Sequence, residues 1–196
     1  MRSVRILVFS GSTRSGSLNG KLAGEVVREL ALADAEVTRI SLADFPLPLY
    51  DGDLEKEKGV PEPAHKLKKL FQSHDGVFMA CPEYNAGVTP ILKNAIDWIS
   101  RLADPGEPPA VAFKQNRVFA LGSASPGTFG GVRGLTAMRT SLEMALGALV
   151  IPQMVIIPHA DKAFDAKGHL SSEPTSKALK AMVQALIKQA QFQNHT

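Results

Sequence analysis

Short apolar, β-branched segments alternate with amphipathic helical segments along the chain, and three of the strand-like segments run straight into loops rich in Gly, Ser and Asn. These two observations predict an α/β fold: a three-layer sandwich with a five-stranded parallel sheet of order 2-1-3-4-5 and helices on both faces. Length agrees, because 196 residues leave room for one domain, spanning 1–196, at about 150 residues each.

Residues 4–9 (VRILVF) are apolar on both faces, as a strand buried between two helical layers requires. They stop at GSTRSGS, after which Leu18, Leu22, Val26, Val27 and Leu30 mark one face of a helix. Residues 36–41 (EVTRIS) predict a second strand. The stretch LADFPLPLYDGDLEKEKGVP is long for a connection. Its alternating Asp51, Asp53, Glu55 and Glu57, interleaved with Lys56 and Lys58, read as a solvated acidic loop and lack the pattern of a calcium loop. A helix over 65–73 turns Leu67, Leu70 and Phe71 inward, and 76–81 (GVFMAC) predicts the third strand. After PEYNAGVTP, Pro90 opens a helix to Leu102 with Ile91, Leu92, Ala95, Ile96 and Ile99 at helical spacing. The fourth strand, 117–122 (RVFALG), ends in SASPGTFGG and feeds a helix bearing Leu135, Met138, Leu142 and Leu146. A fifth strand near 150–157, around Pro152, precedes a last helix with Leu179, Met182, Val183, Leu186 and Ile187 on one face.

Composition narrows the function classes. Hydrophobic residues at 44% and charged residues at 21% exclude disordered, collagen-like and coiled-coil chains. A net charge of +3 is too small to point to a nucleic-acid or membrane partner, and neither is expected. The lone Cys81 makes no intrachain disulfide, and no secretory signature precedes the first strand, so a cytoplasmic protein is expected. At the end of a buried strand, Cys81 reads as a small apolar residue rather than a nucleophile. His65, His74, His159, His169 and His195 show no metal-ligand spacing, and no metal is expected. Ser10, Ser12 and Ser123 lack the nucleophile-elbow pattern of hydrolases.

In an open parallel sheet, ligands sit beyond the carboxyl ends of the strands. The loop from Gly11 to Asn19 opens a helix, so its backbone N–H groups and the helix dipole favour an anion. Ser12, Thr13, Ser15 and Ser17 add hydroxyls, Asn19 an amide and Arg14 a bidentate fork suited to phosphate. The alternative is that Ser17 or Asn19 simply caps the helix. Gly11 and Gly16 have the spacing of a nucleotide-triphosphate loop, but Ser17 and Leu18 replace its Lys and Ser/Thr. Thr13 occupies the second glycine position of the dinucleotide fingerprint. A monophosphate remains. The loops Pro82-Glu83-Tyr84-Asn85 and Ser123–Gly131 could flank a flat heteroaromatic, with Gly127, Gly130 and Gly131 allowing close backbone approach, or they are ordinary β-to-α turns.

GSTRSGSLN after the first strand, PEYN followed by LKNAIDW after the third, and Ser-x-x-Pro-Gly with Gly-Gly after the fourth resemble the NADPH-dependent FMN reductases, a family that includes bacterial quinone, chromate and azo reductases. The similarity covers about residues 4–158, and PLPLYDGD looks like that family's second loop. AGVTPI departs from it, standing where the family has a small-residue and Pro-Gly sequence before LKN.

The resemblance implies a flavodoxin-like fold, noncovalent FMN, NADPH or NADH as co-substrate, and a ping-pong cycle delivering hydride to a small acceptor, with no catalytic side chain. It implies Ser12, Arg14, Ser17, Leu18 and Asn19 at the FMN phosphate, Pro82, Glu83, Tyr84 and Asn85 along the ring, and Ser123, Gly130 and Gly131 in the same pocket. Arg101 reads either as a phosphate contact or as a helix-end cation. A homodimer or homotetramer is implied too, burying residues such as Trp98 and Met138 against a second subunit. The rival readings are an electron carrier, against which the slightly basic charge weighs, and a flavin-free regulatory protein.

Overall fold

The computed structural model describes residues 3–108 and 110–193, so His195 lies outside the described residues. Strands β1 (Arg5–Ser10), β2 (Glu36–Arg39) and β3 (Gly76–Ala80) are followed by a two-stranded antiparallel hairpin, β4 (Glu83–Tyr84) and β5 (Gly87–Val88), and then by β6 (Val118–Ala124) and β7 (Leu149–Ile157). The five long strands form one parallel sheet in the order β2-β1-β3-β6-β7, the predicted 2-1-3-4-5 topology.

Alternation along β1 shows how the layers form. Ile6 and Val8 pack with Leu22, Val26 and Leu30 of α1 (Leu18–Leu32). Leu7 and Phe9 face the opposite layer with Leu67 and Phe71. β3 and β6 are buried at every position, as central strands covered on both faces must be. The remaining helices are α2 (Gly52–Lys58), α3 (Glu62–Ser73), α4 (Pro90–Ser100), α5 (Val132–Thr140) and α6 (Glu173–Gln193). Pro152, which has no N–H to give a ladder, sits on the edge strand β7, whose pairing with β6 shifts register between Phe119 and Leu121.

Three sequence expectations are revised. The acidic stretch is not a loop but contains α2, because Asp51 accepts the Asp53 and Leu54 N–H groups and the acid-then-base order suits the helix dipole. PEYNAGV, for which an ordinary turn is one of two readings, forms the β4–β5 hairpin. Asn85 and Ala86 take φ of +49° and +63°, the left-handed pair that a two-residue primed turn demands. Trp98 and Met138 are fully buried within this chain rather than offered to a second subunit. Trp98 donates to the Pro48 carbonyl at 2.7 Å and meets Tyr50 edge-on at 5.0 Å, fastening the PLPLYD segment to α4.

Candidate functional site

The loop between β1 and α1 is held by short local bonds. Ser12 N–H donates to Ser10 Oγ, Arg14 N–H to Ser12 Oγ, and Ser17 N–H to the Arg14 carbonyl. Ser17 is the N-cap, its Oγ accepting the Gly20 N–H at 2.9 Å. Among the described residues, the N–H groups of Thr13, Ser15, Gly16, Leu18 and Asn19 find no acceptor, and the Arg14 guanidinium has no acidic partner. Unmatched donors at a helix N-terminus beside a free guanidinium form an anion cradle.

Asn19 is spent differently. Its Nδ2 donates to the Ala124 carbonyl at 2.8 Å, and its Oδ1 accepts the Ala124 N–H at 3.1 Å. The side chain therefore couples the cradle to the tip of β6. The β4–β5 hairpin is tied to the same loop: Thr89, buried, donates to the Gly11 carbonyl at 2.8 Å. A β-carbon at Gly11 would lie 2.8 Å from Leu92 and 3.1 Å from Pro82, so the close approach requires glycine.

Glu83 crosses to α5. One carboxylate oxygen accepts two bonds from Arg133 and the other accepts the Gly134 N–H at 3.0 Å. Burial raises its pKa, but these donors outweigh burial and hold the carboxyl below its usual range. Arg133 also lies over the Phe129 ring, 5.0 Å from its centre. Tyr84 and Phe129 stay more than half exposed beside this network.

Gly130 and Gly131 have φ of +60° and +86°. A β-carbon at Gly131 would come within 2.0 Å of Ser123 Oγ, and one at Gly130 within 2.6 Å of Ile156. The paired glycines thus let α5 start against the tip of β6. Ser123 Oγ is fully buried there and has no hydrogen-bond partner among the described residues, which leaves it a polar group in want of a ligand.

The structure therefore brings the three loops together at one end of the sheet. Two cavities adjoin the first of them, and Pro82, Glu83, Tyr84, Asn85, Ser123, Gly130 and Gly131 line neither. A cleft of about 820 Å³ runs from Ser12, Arg14 and Ser17 to Lys167, Gly168 and His169. An apolar hollow of about 280 Å³ lies between Leu42, Phe45, Leu47, Ile91 and Asn94, with Thr13 in the wall of both. Arg101 lines neither and pairs with Glu55 at 3.0 Å. Cys81 is buried, and burial pushes its thiol up. His169 bonds Glu25, and His74 bridges the Leu70 carbonyl and Thr38.

Sequence reasoning missed Thr89, Arg133, Lys21, Arg39 and Lys167. None lies in a recognisable motif; Lys21 and Arg133 follow the first and third loops by two residues, whereas only the topology brings Arg39 and Lys167 to the first loop and Thr89 against Gly11.

The family described as NADPH-dependent FMN reductase matches residues 4–162. A Pseudomonas aeruginosa protein named NAD(P)H-dependent FMN reductase is 34% identical over 185 residues, 93% of each chain. An Escherichia coli quinone reductase is 38% identical over 131 residues, which cover 66% of this chain and 64% of that protein's length. Among solved structures, the flavoenzyme NAD(P)H:(acceptor) oxidoreductase FerB of Paracoccus denitrificans superposes with a TM-score of 0.73 at 28% identity, covering 96% of this chain and 98% of that one.

Proposed function

The chain belongs to the NADPH-dependent FMN reductase family, and from that premise we propose that it is an FMN-dependent NAD(P)H oxidoreductase acting on small acceptors such as quinones, free flavin, azo compounds or chromate. Residues 1–196 act as one domain, working in the cytoplasm as a homodimer or homotetramer. The exposed apolar side chains of Tyr84, Ile91, Phe129 and Met144 support a further subunit contact.

The observation that carries this reading is the cradle of N–H groups on Thr13, Ser15, Gly16, Leu18 and Asn19, which find no acceptor among the described residues, in the same loop as Arg14, which has no acidic partner among them. It suits the phosphate of FMN, and the orphaned Ser123 hydroxyl suits a polar atom of the flavin. When bound, FMN supplies two-electron chemistry between the nicotinamide co-substrate and the acceptor.

The chain's own residues bind and orient. Ser12, Arg14, Ser17 and Leu18 frame the phosphate, and Asn19 fixes that frame against β6. Pro82, Glu83, Tyr84 and Asn85 border the ring, Glu83 by pinning the hairpin to α5 rather than by proton transfer. Ser123, Gly130 and Gly131 keep backbone close to the ring's polar edge. A separate general acid or base is not needed, and the carboxyl of Glu83 is held ionised.

The visible spectrum of the purified protein, after addition of FMN and desalting, tests this reading. A retained flavin spectrum that bleaches with NADPH and returns with quinone, with parallel-line double-reciprocal kinetics, is the expected result. Retention without bleaching favours the electron carrier, and no retention overturns the assignment.

A further inference from the structure

The apolar hollow of about 280 Å³ opens where the first loop meets the end of the β4–β5 hairpin. Thr89, the residue that follows β5, donates to the Gly11 carbonyl at 2.8 Å, and two residues further along each segment Thr13 and Ile91 line the hollow. Residues 82–85 line no part of it, so it is a recess beside the hairpin rather than a part of the ring's border. One wall is the 3-10 helix Leu42–Asp44 with Phe45, Pro46 and Leu47 after it, and the other is the start of α4.

The first of these walls is fastened to the second. Asn94 Oδ1 accepts the Tyr50 N–H at 2.8 Å, and Asn94 Nδ2 donates to the Pro48 carbonyl at 2.9 Å. Trp98 donates to the same carbonyl at 2.7 Å. These bonds hold residues 45–50 against α4, and they also decide what the hollow can bind. Apart from Thr13, Asn94 is the polar side chain of the lining, and both ends of its carboxamide are engaged with backbone. Leu42, Phe45, Leu47 and Ile91 therefore present hydrocarbon to whatever enters, and a polar group placed there would lose its water without gaining a partner.

Size narrows the occupant further. The volume falls just below the roughly 300–1,000 Å³ of sites that enclose a whole small molecule, so the hollow suits one apolar fragment of a larger ligand. We propose that it binds the hydrocarbon substituent of the electron acceptor, and that the enzyme thereby selects alkyl- and prenyl-substituted quinones over unsubstituted or polar acceptors. This inference rests on the reading of the chain as a flavoenzyme that reduces small acceptors at the hairpin.

A recess separate from the ring's border discriminates among acceptors that share one reducible ring. Each methylene that leaves water for the hollow strengthens binding about fourfold. A polar oxidant such as chromate gains nothing from it.

The test uses the full chain with FMN and a series of para-benzoquinones, from the unsubstituted ring through methyl to hexyl, in the wild type and in Ala43→Glu and Ala43→Phe. Ala43 lines the hollow and is exposed, so a charge or a ring there enters the recess without disturbing the core. Calorimetric titration with para-alkylphenols, which accept no hydride, reads binding apart from turnover. In the wild type, kcat/KM for the quinones and affinity for the phenols are expected to rise about fourfold per methylene and to level off once the hollow is filled. Both variants are expected to flatten both series and to leave kcat/KM for unsubstituted benzoquinone within twofold of the wild type. Normal benzoquinone turnover with no chain-length dependence, or a dependence that survives both variants, overturns this proposal alone. A dimer that Ala43→Glu splits in sedimentation, with no phenol bound by the wild type, gives the hollow to a second copy and overturns it too. A chain that keeps its flavin but reduces no quinone overturns the acceptor reading and this proposal with it.

Discussion

The carboxamide of Asn19 and the backbone of Ala124, 105 residues apart, exchange two buried hydrogen bonds, at 2.8 and 3.1 Å. The side chain acts as a missing rung between the first turn of α1 and the end of β6, so it ties the Gly11–Asn19 loop to the strand that leads to the third loop. Asn19→Ala leaves the N–H and carbonyl of Ala124 unpaired in the interior. It is expected to lower stability by about 2–4 kcal/mol and to weaken FMN binding. Asn19→Asp, which keeps the acceptor but loses the donor, should fall between. Urea denaturation with and without FMN reads both effects, and an unchanged midpoint in Asn19→Ala contradicts the bridging role.

Glu83 gives a prediction with a definite sign. Its folded pKa lies below the ordinary 4.5, because bonds from Arg133 and the Gly134 N–H outweigh the opposing effect of burial. Stabilisation from a lowered carboxyl is present above the unfolded pKa and is lost as pH falls through the folded one. Glu83→Gln should therefore be less stable near neutrality by roughly 1–3 kcal/mol. It should also decline less steeply than the wild type below about pH 4.5. Thermal melts across pH 3–7 decide this, and parallel acid limbs in the two proteins would remove Glu83 from the linkage.

Gly131 has no substitute. A methyl group there collides with Ser123 Oγ and places an L-residue at φ of +86°. Gly131→Ala is expected to cost about 3 kcal/mol from strain and overpacking together and to abolish flavin retention. Ser123→Ala alone should fold normally and weaken FMN by several-fold, since it removes a buried hydroxyl that finds no partner among the described residues. Full FMN affinity in Ser123→Ala would place that hydroxyl outside the cofactor site.

Ala86 makes the opposite case. At φ of +63° in the two-residue turn of the β4–β5 hairpin this exposed residue carries left-handed strain. Ala86→Gly should raise stability by about 1 kcal/mol. Calorimetry would show it as a higher Tm, and a lower Tm would mean that the extra freedom of the unfolded glycine outweighs the relief.

Cys81 should be silent. Its sulfur is buried, and burial pushes its thiol up, so almost no thiolate forms at neutral pH. Ellman's reagent is expected to titrate no thiol in the native protein and one in guanidinium. Rapid native labelling would show that the end of β3 opens far more often than its packing suggests.

Much of this molecule is legible in one dimension because its governing patterns are local. Runs such as VRILVF and GVFMAC predict two-sided burial, helical faces such as Leu22–Val26–Leu30 predict the covering layers, and sheet order follows from chirality and chain length. The Gly11–Asn19 loop is equally local: small residues, a capping serine and the start of the following helix lie within nine positions, and their backbone supplies the unmatched donors. The hairpin at Asn85 escaped because Asn-Ala is a weak turn signal beside Asn-Gly, and α2 escaped because its capping and dipole pattern resembles a charged loop. What the tertiary structure alone decided are pairings across long separations: Asn19 with Ala124, Glu83 with Arg133, Thr89 with Gly11, and the convergence of Lys21, Arg39 and Lys167 on one cleft. Such contacts depend on the register of strands and the placement of helix axes, which no spacing along the chain encodes.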